Sequence, residues 1–199
     1  MKTSFTNYDG KQMTKEGKRG QILDALEQLL PGRRFHEITL DEVARAAQVG
    51  KGTIYLYFKD KDALFAEMVC YRLEKLQQQM EQLANCDVAV LPDRIFELVG
   101  GFIRHHRNWF GAIGDYASHM ARMSDEQHQK VKLQGRAVLD TLAAVMKNSM
   151  PQWDDKTAAF NARVLLWLTD GYVRSEMTGE DALPPAEMLL EFYRRGAGL

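Results

Sequence analysis

Apolar residues recur at every third or fourth position along most of this chain, and the two-residue alternation of a half-buried strand is almost absent. That periodicity predicts a first helix over 17–30, where Ile22, Leu23, Leu26, Leu29 and Leu30 share a face and Pro31-Gly32 ends the run. Two short stripes follow, Val43-Ala44-Ala47 and Ile54 to Phe58, with Phe35 and Ile38 placed to plug the core beneath them. A fourth helix is expected from an Asp60 N-cap to Asn85, its apolar face running from Leu64 and Phe65 through Met80 and Leu83. It begins against the short helices and ends against the rest of the chain, which makes it the natural mechanical link. Further helices are expected near 92–107, 108–121, 124–149, 155–178 and 185–196. Pro92, Pro151 and Pro184-Pro185 punctuate them, and Ser124-Asp125 and Asp154 give start signals.

The stretch from Thr39 to Phe65 carries the chemistry. Thr39 is an N-cap with Glu42 three residues on, a capping box. Val43, Ala44 and Ala47 are small enough to let a second helix cross closely. Gln48-Val49-Gly50 breaks the pattern and Lys51-Gly52-Thr53-Ile54-Tyr55-Leu56-Tyr57-Phe58 resumes it. A helix, a tight turn and a second helix bearing basic, hydroxyl and aromatic groups is the arrangement that reads DNA. Lys51, Gly52, Thr53 and Tyr55 lie on its first turns: Gly52 lets the backbone approach, and Thr53 and Tyr55 can bond bases or phosphates. Lys51 has solvated surface charge as its alternative. Leu56 stands between the tyrosines with no evident role.

Thr39, Val43-Ala44, Ala47, Val49, Lys51-Gly52-Thr53, Tyr55, Tyr57-Phe58, Lys61 and Leu64-Phe65 resemble, in order and spacing, the DNA-binding domain of the TetR family. The resemblance covers about the first third of the chain. It implies an all-α, homodimeric bacterial transcription regulator, usually a repressor, that leaves a palindromic operator when a small ligand binds. Its parts would be a flexible arm over 1–16, a three-helix helix-turn-helix DNA-binding domain over 17–65, and a larger helical bundle for ligand binding and dimerisation over 66–199. It also implies phosphate contacts from Thr39, Tyr57 and Lys61. Tyr57 has a second reading as a core aromatic beside Phe58, and Lys61 as a solvated charge. Two positions depart from the family pattern. Gln48 stands where glycine usually supplies a left-handed turn residue, which costs on the order of 1 kcal/mol or demands a different turn. Gly50 stands where a hydroxyl usually caps the second helix, a loss of a few tenths of a kcal/mol.

At 199 residues, nearly half of them hydrophobic, the chain is long enough for one large or two small globular domains. No apolar run of about 20 residues predicts a membrane span, and the first residues lack the apolar core of a leader, so a cytoplasmic location is expected. The net charge of −1 divides unevenly, +3 over residues 1–61 and −4 over the remainder, as suits a protein that touches DNA with one end. Residues 1–16 read either as a disordered tail or, with Lys11, Lys15, Lys18 and Arg19, as an arm reaching the minor groove. Arg33, Arg34 and Arg45 are phosphate candidates or surface charges. Cys70 and Cys86 read as free thiols, about 24 Å apart on an unbroken helix.

The middle of the chain is rich in large adaptable side chains that suit a pocket between helices. The candidate ligand residues are Phe102, His106, Trp109, Phe110, Tyr116, Met120, Trp167 and Asp170, with His105, His119 and Asn161 as further polar groups. Each aromatic has plain core packing as its alternative. The aromatic lining favours a hydrophobic or cationic aromatic ligand over a sugar or phosphate. Gly100-Gly101 and Gly111/Gly114 admit two readings, close helix crossing or room for a ligand. The last two helices are the expected dimer surface, through Ala158, Ala162, Leu165, Leu166, Leu168 and Thr169 with Met188, Leu189, Phe192 and Tyr193. No catalytic motif is present: Gly50-Lys51-Gly52-Thr53 lacks phosphate-loop spacing, and His105, His106, His119 and Asp115 match no standard metal site. No cofactor, metal or enzymatic activity is expected. The competing reading is a DNA-binding protein without ligand control, acting in chromosome organisation or through a protein partner.

Overall fold

The computed structural model describes residues 5–6, 12–13, 15–33, 35–112, 121–179 and 183–199. Among them are eight α-helices: α1 Lys15–Leu29, α2 Leu40–Ala46, α3 Lys51–Tyr57, α4 Lys61–Glu81, α5 Leu91–Ala112, α6 Asp125–Ser149, α7 Asp155–Thr178 and α8 Ala186–Ala197. Strand pairing among these residues is confined to Phe5–Thr6 (β1) against Gln12–Met13 (β2), antiparallel with Phe5 opposite Met13. No described helix is long and apolar enough to cross a membrane.

The helices form two units. The first takes residues up to Tyr71 together with Asn108–Val131, and the second takes Arg72–Arg107 and Lys132–Leu199. The described residues 108–112 and 121–131 thus group with the first unit.

In the first unit, α1, α2, α3 and the start of α4 close around Ile22, Leu26, Phe35, Ile54, Phe58 and Phe65, all buried. The Phe35 and Phe65 rings meet with centroids 5.1 Å apart. Met123, far along the chain, is buried in the same core, and Val131 packs against it. Polar contacts tie the same segment down. Glu67 on α4 pairs with Arg19 on α1 and with Lys130 on α6, and Arg122 lies 3.9 Å from Asp62. Burial works against the Glu67 carboxylate, but the two cations outweigh it and hold its pKa below the ordinary value. These contacts correct the arm reading for two residues. Lys18 is buried and Arg19 is committed to Glu67, so both belong to the packed face of α1. The side chains of Lys11 and Lys15 lie outside the described residues.

The turn between α2 and α3 keeps the left-handed geometry despite its glutamine. Gln48 sits at φ 51°. Its N–H donates to the Arg45 carbonyl at 3.1 Å, and the Val49 N–H donates to the Ala44 carbonyl at 2.9 Å. That pair of bonds is a Schellman motif, normally closed by glycine at the left-handed position. Gln21 on α1 adds a side-chain donor, Nε2 to the Ala47 carbonyl at 2.7 Å, so the end of α2 is fixed from outside as well. Of the two outcomes open at this position, the chain takes the strained backbone and keeps the turn. Gln48→Gly is therefore expected to raise stability by about 0.5–1 kcal/mol, less whatever glycine adds to the entropy of the unfolded chain. Urea unfolding with an unchanged m value checks this; a lowered midpoint would mean that the Gln48 side chain makes a contact worth more than the strain.

The second unit is built from the end of α4 and from α5, α6, α7 and α8 around Met80, Ile95, Leu142, Met146, Ala162 and Leu165. Asp154 caps α7 by accepting from the Thr157 N–H at 2.7 Å, and Gly179 ends it at φ 70°. The helix break expected at 107–108 is absent: α5 runs on to Ala112, since neither Arg107 nor Asn108 forbids helix. Most of the helix expected over 108–121 lies outside the described residues. The two central glycines of α5 do different things. A Cβ on Gly100 would stand 3.3 Å from the Val173 side chain, so this glycine permits a close crossing with α7. A Cβ on Gly101 would meet nothing within 4 Å.

The expected dimer surface is rearranged. Ala158, Ala162, Leu165, Thr169 and Tyr193 are buried inside the unit, because α7 and α8 use that face for their own core. Tyr193 donates to the Asn161 carbonyl at 3.3 Å, and burial pushes its phenol pKa up. What remains outside is Phe160, Trp167, Met188 and Phe192.

Candidate nucleic-acid interface

The site starts at the N-terminus of α2. Thr39 is extended, at φ −95° and ψ 154°, and accepts from the Glu42 N–H at 3.2 Å while its own N–H donates to Glu42 Oε2 at 2.8 Å. Both halves of the capping box are present. Arg33 braces it, donating from Nη1 to Glu42 Oε1 at 3.1 Å and from Nη2 to the Glu37 carbonyl at 3.2 Å. One of the three arginine phosphate candidates is therefore committed to holding the cap, and another, Arg34, lies outside the described residues.

The Thr39 N–H first, and then the Arg33 guanidinium, hold the Glu42 carboxyl down at about 2. A carboxylate depressed in the folded state adds stability above its unfolded pKa, and that contribution is lost as pH falls toward the folded value. Glu42→Gln is expected to be less stable than the parent chain at pH 7. The gap should close as pH falls from about 5 to about 2. Thermal unfolding of both chains across that range checks it, and a gap independent of pH would mean that the ionised carboxylate contributes nothing special.

Helix α3 begins at Gly50, extended at φ −66° and ψ 145° and without a side-chain cap; the Thr53 N–H bonds the Gly50 carbonyl at 2.8 Å. The helix is amphipathic over its seven residues. Ile54 is fully buried, while Lys51, Gly52, Tyr55 and Leu56 point outward, the last two 51% and 67% exposed. Thr53 lies half-buried between the faces. Nothing lies within 4 Å of a Cβ placed on Gly52, so the helix surface there is open to a close-approaching partner. Lys51 donates from Nζ to Asp41 at 2.6 Å across the turn, and this carboxylate raises the lysine pKa. Asp41 is a neighbour the sequence reading missed, although its place in the first turn of α2 was legible.

Two of the family-implied phosphate residues are turned partly inward. The Tyr57 ring packs beside Phe58, centroids 6.2 Å apart, and its hydroxyl is buried with no hydrogen-bonding partner among the described residues. Lys61 is half-buried with its ammonium 4.7 Å from the centre of the Phe35 ring, and desolvation lowers its pKa. Thr39, Lys51, Gly52 and Tyr55 remain on the exposed side, joined by Leu56.

Of the eight candidate ligand residues, three have described side chains. His106, Trp109 and Phe110 fall on the last turns of α5, and Tyr116 and Met120 beyond it; the side chains of all five lie outside the described residues, as do His119 and Asp115. Phe102 is half-buried on α5. Asp170 pairs with Arg174 one turn on, at 2.7 Å. Trp167 is 67% exposed, on the outer side of α7. Among the described residues, no group of three or more His, Cys, Asp or Glu could hold a metal ion.

Comparison with known proteins agrees with this geometry. Residues 22–68, from the second half of α1 to the first part of α4, match the family described as bacterial regulatory proteins, tetR family. The fatty acid metabolism regulator protein of Bacillus subtilis (strain 168) is 30% identical over 93 residues, 44% of this chain and 48% of that one. The chain spans about half or less of the length of the first curated relatives it matches. The HTH-type transcriptional regulator BetI of Serratia proteamaculans (strain 568) is 28% identical over 189 residues, 90% of this chain and 93% of that one. Among solved structures, reduced E. coli NemR superposes with a TM-score of 0.63 at 19% identity, covering 89% of this chain and 96% of that chain. The repressor AlkX of Dietzia sp. strain DQ12-45-1b gives 0.58 at 16% identity, covering 90% and 93%.

Proposed function

We propose that this chain, which belongs to the TetR family of bacterial regulatory proteins, binds palindromic double-stranded DNA as a two-fold dimer in the cytoplasm and represses transcription until a small molecule releases it. The observation that carries the reading is the outward face of α3. Lys51, Tyr55 and Leu56 present a cation, a phenol and an alkyl group on one short helix, beside an open glycine. Such a face suits the major groove: tyrosine can bond base edges or phosphate, and Leu56 can lie against thymine methyl groups. The N-terminus of α2, where Thr39 is exposed, suits a phosphate. Lys51 would exchange its Asp41 partner for a phosphate, so Asp41 offsets part of the electrostatic gain and restrains binding to unspecific sequence.

One helix-turn-helix reads few bases, so specificity calls for two, about 34 Å apart. The outer face of α7 and α8, with Phe160, Trp167, Met188 and Phe192, is the surface we assign to the dimer. Tyr57 and Lys61 would reach phosphate only after turning outward. Helix α4 supplies residues to both units, and ligand control would act by favouring one of two dimer geometries, which requires unequal ligand affinity for them. A regulator of fatty acid metabolism among the relatives supports an apolar effector.

Selection of bound fragments from a library of genomic DNA tests the reading. The expected result is enrichment of palindromes with half-sites one helical turn apart, and an affinity that falls steeply with salt. Recovery of fragments without a shared palindrome would sink it.

A further inference from the structure

The second unit holds an open groove of about 400 Å³, within the range of small-molecule sites. Arg72, Lys75, Leu76 and Gln79 form one wall, spaced as one face of α4. Leu98, Gly101, Phe102 and His105 form the other, one face of α5. Gly101 lies on this wall, and a Cβ there would touch nothing within 4 Å, so a larger side chain at this position would project into free space.

The groove is polarised along its length. Arg72 and His105 meet at one end, Nη2 to Nε2 at 3.4 Å, with Lys75 one turn along. Gln79 and Glu97 come seven and eight residues further along their helices, roughly 10–12 Å away by helical rise. Glu97 is the one acidic residue of the lining, and Arg94 pairs with it at 3.3 Å. Between the two ends the wall is Leu76, Leu98 and Phe102. Burial first, and the Arg72 charge second, hold the His105 imidazole below its ordinary pKa.

We propose that this groove takes an anionic amphiphile, its carboxylate held by Arg72, Lys75 and His105 and its alkyl chain laid over Gly101 against Leu76, Leu98 and Phe102. Of the hydrophobic or cationic aromatic ligand that the sequence favours, this keeps the apolar character and reverses the sign of the charge. Arg72 and Lys75 on α4 supply the head-group contacts, so occupancy would be felt on the helix that also enters the first unit. The inference rests on the reading of the second unit as an effector domain.

The test titrates the full chain with sodium decanoate, decanol and decyltrimethylammonium by calorimetry, with the parent protein, Arg72→Gln and Gly101→Leu. Decanoate is expected to bind at least ten-fold more tightly than either analogue. Arg72→Gln should bring it to the level of decanol, and Gly101→Leu should weaken it at least ten-fold with an unchanged melting temperature. Equal or tighter binding of the cation, or decanoate binding that Gly101→Leu leaves unchanged, overturns the assignment. The broader reading fails separately. If decanoate does not bind while another compound releases the chain from DNA, the groove assignment falls and the regulator stands. If decanoate fills the groove but leaves DNA affinity unchanged, the groove stands and the effector role falls.

Discussion

A chain carrying Trp167→Glu and Phe192→Glu is expected to sediment as a monomer and to lose at least about a hundred-fold in affinity for palindromic DNA. The two side chains are 67% and 72% exposed in the single chain; Phe160, two turns before Trp167 on α7, and Met188, one turn before Phe192 on α8, are exposed as well. Large aromatics are rarely left in water in such numbers unless something covers them. Covering what each still exposes would remove roughly 100–170 Å² from solvent, worth on the order of 3 kcal/mol at about 25 cal/mol per Å². In a two-fold dimer every residue counts twice, so the pair of substitutions removes four aromatic anchors and sets four carboxylates into one interface. The DNA effect follows from geometry: a monomer engages one half-site and forfeits the other. Neither residue supports the unit's own core, so the helical content of the variant should match the parent. A variant that still sediments as a dimer would move the interface elsewhere.

Phe35→Ala is expected to cost about 3–5 kcal/mol of stability and to abolish DNA binding near the growth temperature. The ring is fully buried at the point where the connection after α1, the start of α4 and the pair α2–α3 converge. Phe65 packs 5.1 Å away on one side, and the Lys61 ammonium rests 4.7 Å from the ring centre. Truncation leaves a cavity that Phe65 cannot refill without moving α4, and it also removes the face that holds the Lys61 charge. Urea unfolding followed by circular dichroism measures the loss. A cost below about 1.5 kcal/mol would show that the surrounding helices collapse into the space.

Local chemistry was the most readable part of the sequence. Thr39 with Glu42, the Asp154 cap and the Pro31-Gly32 stop each act within a few residues, so their roles follow from spacing alone. The inward positions of α1 to α4 were readable for the same reason: Ile22, Phe35, Ile54 and Phe65 follow the helical repeat and are buried. Long-range choices were not. Lys18 and Arg19 look like part of a charged tail until Glu67, 48 residues beyond Arg19, is brought beside it. Helices α7 and α8 have apolar residues on more than one face, and periodicity does not say which face a chain keeps for itself. Thr169 therefore turned inward while Trp167, two residues away, remained outside. Gly100 and Gly101 are indistinguishable in sequence; only the approach of Val173 separates a packing glycine from one that lines a groove. Gln48 shows the opposite case, a local preference overruled by the helices on either side of it.

The buried position of Met123 bears on how the molecule is made. A core that includes Ile22, Phe65 and Met123 is not complete until the ribosome has released residue 123, well after α1 to α4 have emerged. Throughout that interval the nascent DNA-reading helices carry an open socket, and the intervening residues 72–107, which belong to the other unit, are already outside. Synthesis therefore holds back completion of the DNA-reading end until residue 123 is out, although that unit still closes before the other, whose core extends to Tyr193. A fragment cut after Tyr71 would be left permanently in that unfinished condition.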